Sequence, residues 1–221
     1  MFRRVFVPAI LAGLLAGLVV SVVQAAKLWP LIAAAEVYEA PTADHESQSW
    51  QPERGLERGA LSVLANVVIA TGFGLLLSAG FALRQIMTGV ATGAREGLLW
   101  GIAGFACFAL APSLGLPPEL PGTEAADLLT RQSWWLSTAV ATAAGIAAIA
   151  FARRARWRVL GICLVVSPHV IGAPSPPLVG GTAPAGLAAA FAAASLVAAA
   201  VFWTVLGSAG GWLYARLGRS A

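Results

Sequence analysis

The sequence has few charged residues and few cysteines, and it lacks the common nucleotide-binding and zinc-enzyme motifs. Charged residues make up 11% of the 221 residues, whereas soluble domains carry about 25%. The two cysteines, Cys107 and Cys163, lie in apolar runs, where a thiol ordinarily behaves as a small hydrophobic group. No phosphate-binding GxxxxGK[ST] pattern surrounds Lys27, and HExxH and CxxC patterns are absent. The sequence therefore offers no ATP-hydrolysing loop, no zinc-enzyme motif and no candidate catalytic residue.

Long apolar runs take the place of these features. The hydrophobic fraction is 58% and the mean hydropathy is +0.79, and several runs approach the ~20 residues that cross a bilayer as a helix. Backbone groups in lipid must be satisfied within the segment, which favours helices. We predict an all-α polytopic helical bundle that forms a single transmembrane domain over residues 1–221. Its predicted spans are about 5–24, 60–83, 97–112, 133–152, 159–172 and 186–207, with an outer loop at 25–59.

The fifth span is short, and the positive-inside rule decides whether to count it. With six spans and both termini in the cytoplasm, ten of the 14 basic residues lie inside. The four outside are Lys27, Arg54, Arg58 and Arg131. With five spans the C-terminal arginines move outside and the asymmetry weakens, so six is the better prediction and five the alternative. The first span also resembles a cleavable signal peptide, but its apolar run is longer than a signal core.

The acidic residues are skewed the other way. In the six-span arrangement Glu96 is the one acid inside, and the other nine of the ten lie outside. A negative outer mouth would concentrate cations, although a polar loop also needs charge for solubility alone. The net charge of +4 does not indicate nucleic-acid binding, because the basic residues cluster beside apolar spans.

Small and polar residues within the spans predict how the helices pack. A stripe at steps of four lies on one face of the third span and would let another helix approach closely: Gly89, Gly93, Gly97 and Gly101. The same spacing occurs at Gly13 and Gly17, and at Gly207 and Gly211. Asn66 and Thr71 predict hydrogen bonds between helices. Trp29, Trp50, Trp134, Trp135 and Trp212 lie near predicted interfaces and are typical of an aromatic belt.

The candidate metal ligands lie near the predicted outer face. His169 follows Pro168, which removes a backbone donor and can leave a carbonyl free one turn earlier. Such broken helices often mark ion sites, although an interfacial histidine bonded to a loop is the equally weighted alternative. Glu36 and Glu39 are three residues apart on an apparent helical extension, so both carboxylates share a face. Together with Glu119 these residues are a candidate divalent-metal site, against the simpler interpretation of solvated carboxylates.

An ordered set of short segments resembles the CbtA family of proposed cobalt transporter subunits. The segments are Met1-Phe2-Arg3-Arg4, Ala35-Glu36-Val37-Tyr38-Glu39, Gly55-Leu56-Glu57-Arg58, Leu64-Ala65-Asn66-Val67, Gly101-Ile102-Ala103-Gly104-Phe105, Gly115-Leu116-Pro117-Pro118-Glu119-Leu120-Pro121-Gly122, Arg131-Gln132-Ser133-Trp134-Trp135 and Pro168-His169-Val170-Ile171-Gly172-Ala173-Pro174. They follow one another over most of the chain. The family is usually described with about five spans, whereas the charge distribution here favours six.

The resemblance implies a subunit for cobalt uptake in the bacterial inner membrane, linked to cobalamin synthesis. It also implies a small CbtB-like partner with a membrane span and a histidine-rich segment. We expect Co²⁺ as a transported substrate, no permanently bound cofactor, and assembly in the bilayer with that partner or as an oligomer. The alternatives are a permease for another metal or small solute, and a membrane scaffold that transports nothing.

Overall fold

The computed structural model describes residues 2–38, 55–120, 123, 125–175 and 183–218. These residues form eight α-helices and one π-helical turn, without a β-strand among them. The helices are α1 (Phe2–Lys27), α2 (Trp29–Glu36), α3 (Leu56–Thr88), α4 (Ala94–Phe105), α5 (Ala111–Ser113), α6 (Leu128–Phe151), α7 (Ala155–Ile171) and α8 (Ala185–Gly218). The π-helical turn, Ala106–Leu110, joins α4 to α5. The predicted all-α membrane bundle is confirmed.

Five helical segments in the described residues are long and apolar enough to cross a membrane: Arg3–Lys27, Leu56–Thr88, Ala94–Ser113, Leu128–Phe151 and Ala185–Leu217. The fifth predicted span, 159–172, corresponds to α7, which has 17 residues. At 1.5 Å per residue that helix is about 25 Å long, a few ångströms less than a hydrocarbon core of about 30 Å. Whether α7 crosses, and with it the cytoplasmic position of both termini, stays a prediction.

Two prolines explain where the first and third spans depart from regular helix. Pro30 has no N–H to donate to a carbonyl four residues earlier, and the chain turns at Leu28 between α1 and α2. Pro112 likewise lies just after the π-helical turn, where the N–H of Ala111 bonds to the carbonyl of Ala106. One extra residue in that turn accommodates the missing donor. The segment predicted as outer loop 25–59 thus contains the end of α1, all of α2 and the start of α3.

The chain divides into two compact units, which we call unit 1 and unit 2. Unit 1 contains α1, α3, α4 as far as Ile102 and α8 from Ala198 onward. Unit 2 contains Leu31–Tyr38 and Ala103–Val197, and therefore the π-helical turn, α5, α6 and α7. The prediction of one transmembrane domain stays a prediction.

Glycine contacts hold the helices of unit 1 together. A β-carbon on Gly97 would lie 2.9 Å from the Cα of Gly211, and one on Gly207 would lie 2.7 Å from the Cα of Gly101. The backbone of Gly93 also packs against Gly211. The structure corrects the prediction at Gly89, which has φ +72° and no atom within 4 Å of an added β-carbon. It ends α3 in a left-handed conformation rather than packing against a helix.

The paired α1 and α3 of unit 1 use the same device. A β-carbon on Gly13 would lie 2.6 Å from the Cα of Thr71. Asn66 Nδ2 donates to Ser21 Oγ at 3.0 Å and to Gln24 Oε1 at 2.7 Å, which confirms the predicted bond between helices. Thr71 instead donates to the carbonyl of Val67 in its own helix, at 2.8 Å, so the prediction of an interhelical bond is wrong there.

Unit 2 is built on a helical hairpin. Three residues separate α6 from α7, and the two helices pack along their length. A β-carbon on Gly145 would lie 2.6 Å from the carbonyl oxygen of Gly161, and one on Gly161 would lie 2.7 Å from that of Gly145. The two backbones are therefore in direct contact at this level, near the connection between the helices.

Candidate functional site

His169 lies in the last turn of α7. Gly172 ends the helix with φ +91°, and Pro168 is buried within the last turn. Proline at position 168 has no N–H for the carbonyl of Leu164, but the Ser167 hydroxyl donates to that oxygen at 3.0 Å. The carbonyl that the sequence predicts to be free therefore has a side-chain partner. Pro168 lies near the end of α7 and does not interrupt the middle of the helix.

The His169 ring packs against Trp134 of α6. The two ring centroids are 6.0 Å apart with an interplanar angle of 72°, an edge-on arrangement. The Nε2 atom of His169 is buried and has no hydrogen-bond partner among the described residues. An imidazole nitrogen without a proton is a common metal ligand, so this atom is chemically suited to bind a metal, a water molecule or a hydrogen-bonding ligand.

Glu119 is engaged in an ion pair. Its Oε2 accepts a hydrogen bond from Arg131 in the first turn of α6, at 2.6 Å. Both side chains are about a quarter exposed, at 26% and 28%. A carboxylate held by a guanidinium is a weaker candidate ligand for a cation, because its charge is already neutralised. The pair ties the segment before α6 to the start of that helix.

The other two predicted ligands lie at the end of α2 and beyond it. Glu36 is the last residue of α2 and is half-buried. Glu39 lies outside the described residues. Within the described part of the chain, His, Cys, Asp and Glu side chains form no group of three that could hold a metal ion. Glu36, Glu119 and His169 are therefore not gathered into one cluster in this structure.

A row of buried polar groups, which we call the α6 polar face, runs along α6 instead. It consists of Trp134, Thr138 and Thr142, whose exposed fractions are 8%, 0% and 2%. Their Nε1 and Oγ1 atoms are buried without a hydrogen-bond partner in the described chain. Residues four apart lie on one side of a helix. The aromatic-belt prediction is wrong at Trp134, because its indole packs inside unit 2 and touches Gly115.

The start of α6 is fixed by a charged cap. Asp127 Oδ2 accepts hydrogen bonds from the backbone N–H and the hydroxyl of Thr130, both at 3.0 Å. The backbone N–H of Thr130, followed by its hydroxyl, lowers the pKa of the Asp127 carboxyl below its ordinary value. The cap sets the position at which α6 begins, and with it the register of the α6 polar face.

Comparison with known proteins identifies the family. Residues 2–215 match the family described as "Probable cobalt transporter subunit (CbtA)". This chain belongs to the CbtA family. No curated protein and no solved structure matches it.

Membership in the CbtA family confirms the resemblance drawn from the short segments and covers nearly the whole chain. Together with the five long apolar helices, it makes the protein a multi-pass membrane protein of a cobalt transporter. The family description calls its members subunits, so this CbtA chain works within a larger transporter. The sequence predictions above do not include the α6 polar face, although threonines four residues apart in an apolar span are a visible signal.

Proposed function

We propose that the chain is the permease subunit for uptake of divalent cobalt across the bacterial inner membrane, in support of cobalamin biosynthesis. The observation that carries this proposal is the match to the CbtA family over residues 2–215. The outward skew of the acidic residues in the predicted topology supports the same direction of flux, since a negative mouth attracts cations.

Its transient metal site comprises His169, Glu36, Glu39 and Glu119 near the predicted outer face. The buried and unpartnered Nε2 of His169 supports the histidine most directly within the described residues. Glu36 lies in the same unit as His169. Glu119 joins only after its ion pair with Arg131 opens.

A small histidine-rich membrane partner of the CbtB type completes the coordination. The sequence contains only two histidines, and imidazole suits first-row transition metals. Further imidazole ligands therefore have to come from a second chain. The description of the family as a transporter subunit supports a partner of some kind.

Cobalt uptake by cells that express the chain with the partner tests the proposal. His169→Ala is expected to lower the initial uptake rate of radioactive Co²⁺ by about tenfold, because loss of a ligand or its support weakens metal binding on that scale. His45→Ala is the matched control, since it removes the other histidine, and it should leave uptake unchanged. Equal uptake by wild type and His169→Ala would remove His169 from the metal site.

Purified protein in liposomes separates the alternatives. Competition among Co²⁺, Ni²⁺ and organic solutes distinguishes a cobalt permease from one for another substrate. A chain that gives no flux with or without the partner is a scaffold, and that result would overturn the proposal.

Charge reversal tests whether Glu119 is a ligand or only an ion-pair partner. Glu119→Arg should reduce uptake in either case. If Glu119 binds metal, the double variant Glu119→Arg with Arg131→Glu stays impaired, because the carboxylate has moved to another position. Recovery of uptake in the double variant would assign Glu119 to the ion pair alone and remove it from the site.

A further inference from the structure

Four buried polar atoms lie along one side of unit 2, and the fold gives none of them a partner among the described residues. They are Trp134 Nε1, Thr138 Oγ1, Thr142 Oγ1 and His169 Nε2. Arg131 Nε is also buried without a hydrogen-bond partner there, but its guanidinium is paired with Glu119 through another nitrogen. A buried donor or acceptor without a hydrogen bond destabilises the folded protein. A threonine inside a helix has an easy remedy, a bond to the carbonyl four residues earlier, and Thr71 of α3 makes that bond at 2.8 Å. Neither threonine of the α6 polar face does so.

The helical spacing and one ring contact place these groups in a row. Trp134, Thr138 and Thr142 are one turn apart, about 6 Å each along the axis and within about 80° around it. His169 extends the row at the Trp134 end, where the two rings meet. Gly145 lies on the same side of α6 and touches Gly161 backbone to backbone. That contact brings the backbones of α6 and α7 together just beyond Thr142 and ends the row there.

The chemistry of the four groups limits what can bind along this row. An indole N–H only donates, so it needs an acceptor and has nothing to offer a bare cation. Threonine hydroxyls donate and accept, and a neutral imidazole donates at one nitrogen and accepts at the other. Water satisfies all of them, as buried water does for otherwise unpaired groups. None of these side chains carries a fixed charge, so an ion passing along them is not held tightly, as conduction requires.

We propose that the α6 polar face together with His169 lines a path in unit 2 that water enters when α6 separates from the segments packed on it, open at the His169 end and closed at Gly145 and Gly161. In the packed arrangement described above, the four atoms are sealed from water. The divalent cation travels along the path with water still in its coordination shell, and those water molecules accept from Trp134 and bond to the threonines. The claim that cobalt uses the path rests on the proposed function. The claim that water reaches the path does not, so an experiment can reject either claim without rejecting the other.

Single cysteines test access by water. In a background of Cys107→Ala and Cys163→Ala, Thr138→Cys and Thr142→Cys place thiols on the path. Leu136→Cys and Val140→Cys are the matched controls, because these positions on the same helix are 56% and 59% exposed on its outer surface. A membrane-impermeant, cationic methanethiosulfonate should react about tenfold or more faster at 138 and 142, since the reactive thiolate forms in water. Equal rates at all four positions would overturn the path.

The side of access and the effect of metal complete the test. Reaction should proceed from the His169 side of the membrane and stop at the glycine contact, so intact cells and inverted vesicles should label differently. Equal labelling from both sides would contradict the closure. Excess CoCl₂ without other ligands should slow labelling at 138 and 142. Labelling that Co²⁺ does not change would leave a water path but overturn its use by cobalt.

Conservative variants protect the result against misfolding. Thr138→Val has the shape of threonine without the hydroxyl, and Thr138→Ser has the hydroxyl without the methyl group. In the partner-containing cells, the valine variant is expected to lower cobalt uptake severalfold while the serine variant retains it. If both variants, expressed at wild-type levels, transport cobalt equally well, the hydroxyl has no role on the route. If neither Co²⁺ flux nor its block appears in the wild type but labelling persists, the proposed function has failed and the water path remains.

Discussion

The two units treat buried polar side chains in opposite ways. In unit 1 they pair across helices: Asn66 with Ser21 and Gln24, and Tyr214 with Gln85, whose Oε1 accepts from the tyrosine hydroxyl at 2.9 Å. In unit 2 the α6 polar face has no such partner within the described residues. Each unit nevertheless has one helix pair in which glycine packs against glycine, α4 with α8 in unit 1 and α6 with α7 in unit 2.

The difference distinguishes polar groups that hold two helices together from polar groups that are available to a ligand or water. A satisfied polar pair in lipid stabilises one arrangement of two helices, whereas an unsatisfied group lowers stability until a ligand or water arrives. Ser78 is an exception in unit 1, since its buried hydroxyl also has no partner among the described residues. The residues one turn away on α3, Gly74 and Ala82, have no polar side chain, whereas three consecutive turns of α6 and the neighbouring His169 share the property in unit 2.

The largest loss of stability is expected at a glycine–glycine contact, which is the feature that the two units share. Gly97→Ala would place a methyl group 2.9 Å from the Cα of Gly211 and still closer to the carbonyl of Gly207, so α4 and α8 have to separate. Overpacking of this kind destabilises by about 1–3 kcal/mol or more. Thermal unfolding in detergent, followed by size-exclusion chromatography, should show a clear loss of stability.

Gly72→Ala is the control for Gly97→Ala. Gly72 lies within α3 and has no atom within 4 Å of an added β-carbon. Alanine is the better helix former by about 1 kcal/mol, so this variant should be as stable as the wild type or more so. Equal losses in the two variants would show that the contact between α4 and α8 does not depend on glycine.

The second effect breaks a satisfied polar pair of unit 1. Asn66→Leu removes the amide that bonds to Ser21 and Gln24 and leaves both without that donor. Interhelical hydrogen bonds in membranes contribute about 0.6 kcal/mol on average and up to about 1.7, so a loss of about 1 kcal/mol is expected. The measurement is the unfolding midpoint in detergent. A variant as stable as the wild type would mean that this pair does not hold α1 to α3.

The third variant should leave the free energy of unfolding unchanged or raise it. Thr142→Val in unit 2 removes a hydroxyl that has no partner among the described residues, and valine keeps its shape. Removing an unsatisfied polar group without changing shape is expected to leave stability within about 0.5 kcal/mol or to raise it. The same unfolding assay measures it beside Asn66→Leu. A loss as large as that of Asn66→Leu would show that the Thr142 hydroxyl bonds to another group of the protein and belongs to the packing.

The sequence reveals the helices well because lipid leaves the backbone few options. Each predicted span falls on a helix, since an apolar run in hydrocarbon has to bond within itself. Their ends are less visible. The sixth span was predicted at 186–207, but α8 continues to Gly218, because a helix does not stop where hydropathy falls. Gly89 was misplaced for a related reason: steps of four suggest one face only if the helix is continuous, and α3 ends there.

The candidate site is harder to predict from the sequence than the helices are, because it depends on contacts between segments that are distant along the chain. Glu119 looks like a free carboxylate in the sequence, and only the structure brings Arg131 to within 2.6 Å of it. Trp134 looks like an interfacial anchor until its neighbours are known. The threonines have the spacing of one helix face, but threonine in a membrane helix ordinarily bonds to its own backbone, as Thr71 does. Only the structure shows that the α6 threonines do not make that bond.

The smallest effect concerns the cap that sets the register of α6. Asp127→Asn keeps an acceptor for the Thr130 N–H but removes the charge, so it should unfold slightly earlier than the wild type at pH 7. The folded-state pKa of Asp127 is lowered, chiefly by the Thr130 backbone N–H. Its stabilisation is therefore complete above the unfolded-state pKa of about 3.9 and is lost as pH falls through the folded-state value.

Thermal unfolding of both proteins between neutral and acidic pH measures this effect. The difference between the wild type and Asp127→Asn should be constant at neutral pH and vanish in acid, once the wild-type carboxyl is protonated. A difference that persists unchanged in acid would show that the charge of Asp127 contributes nothing to the start of α6. Because the α6 polar face begins two turns later, Asp127→Asn should also leave cysteine labelling at position 138 unchanged, which separates the stability of the cap from the water path.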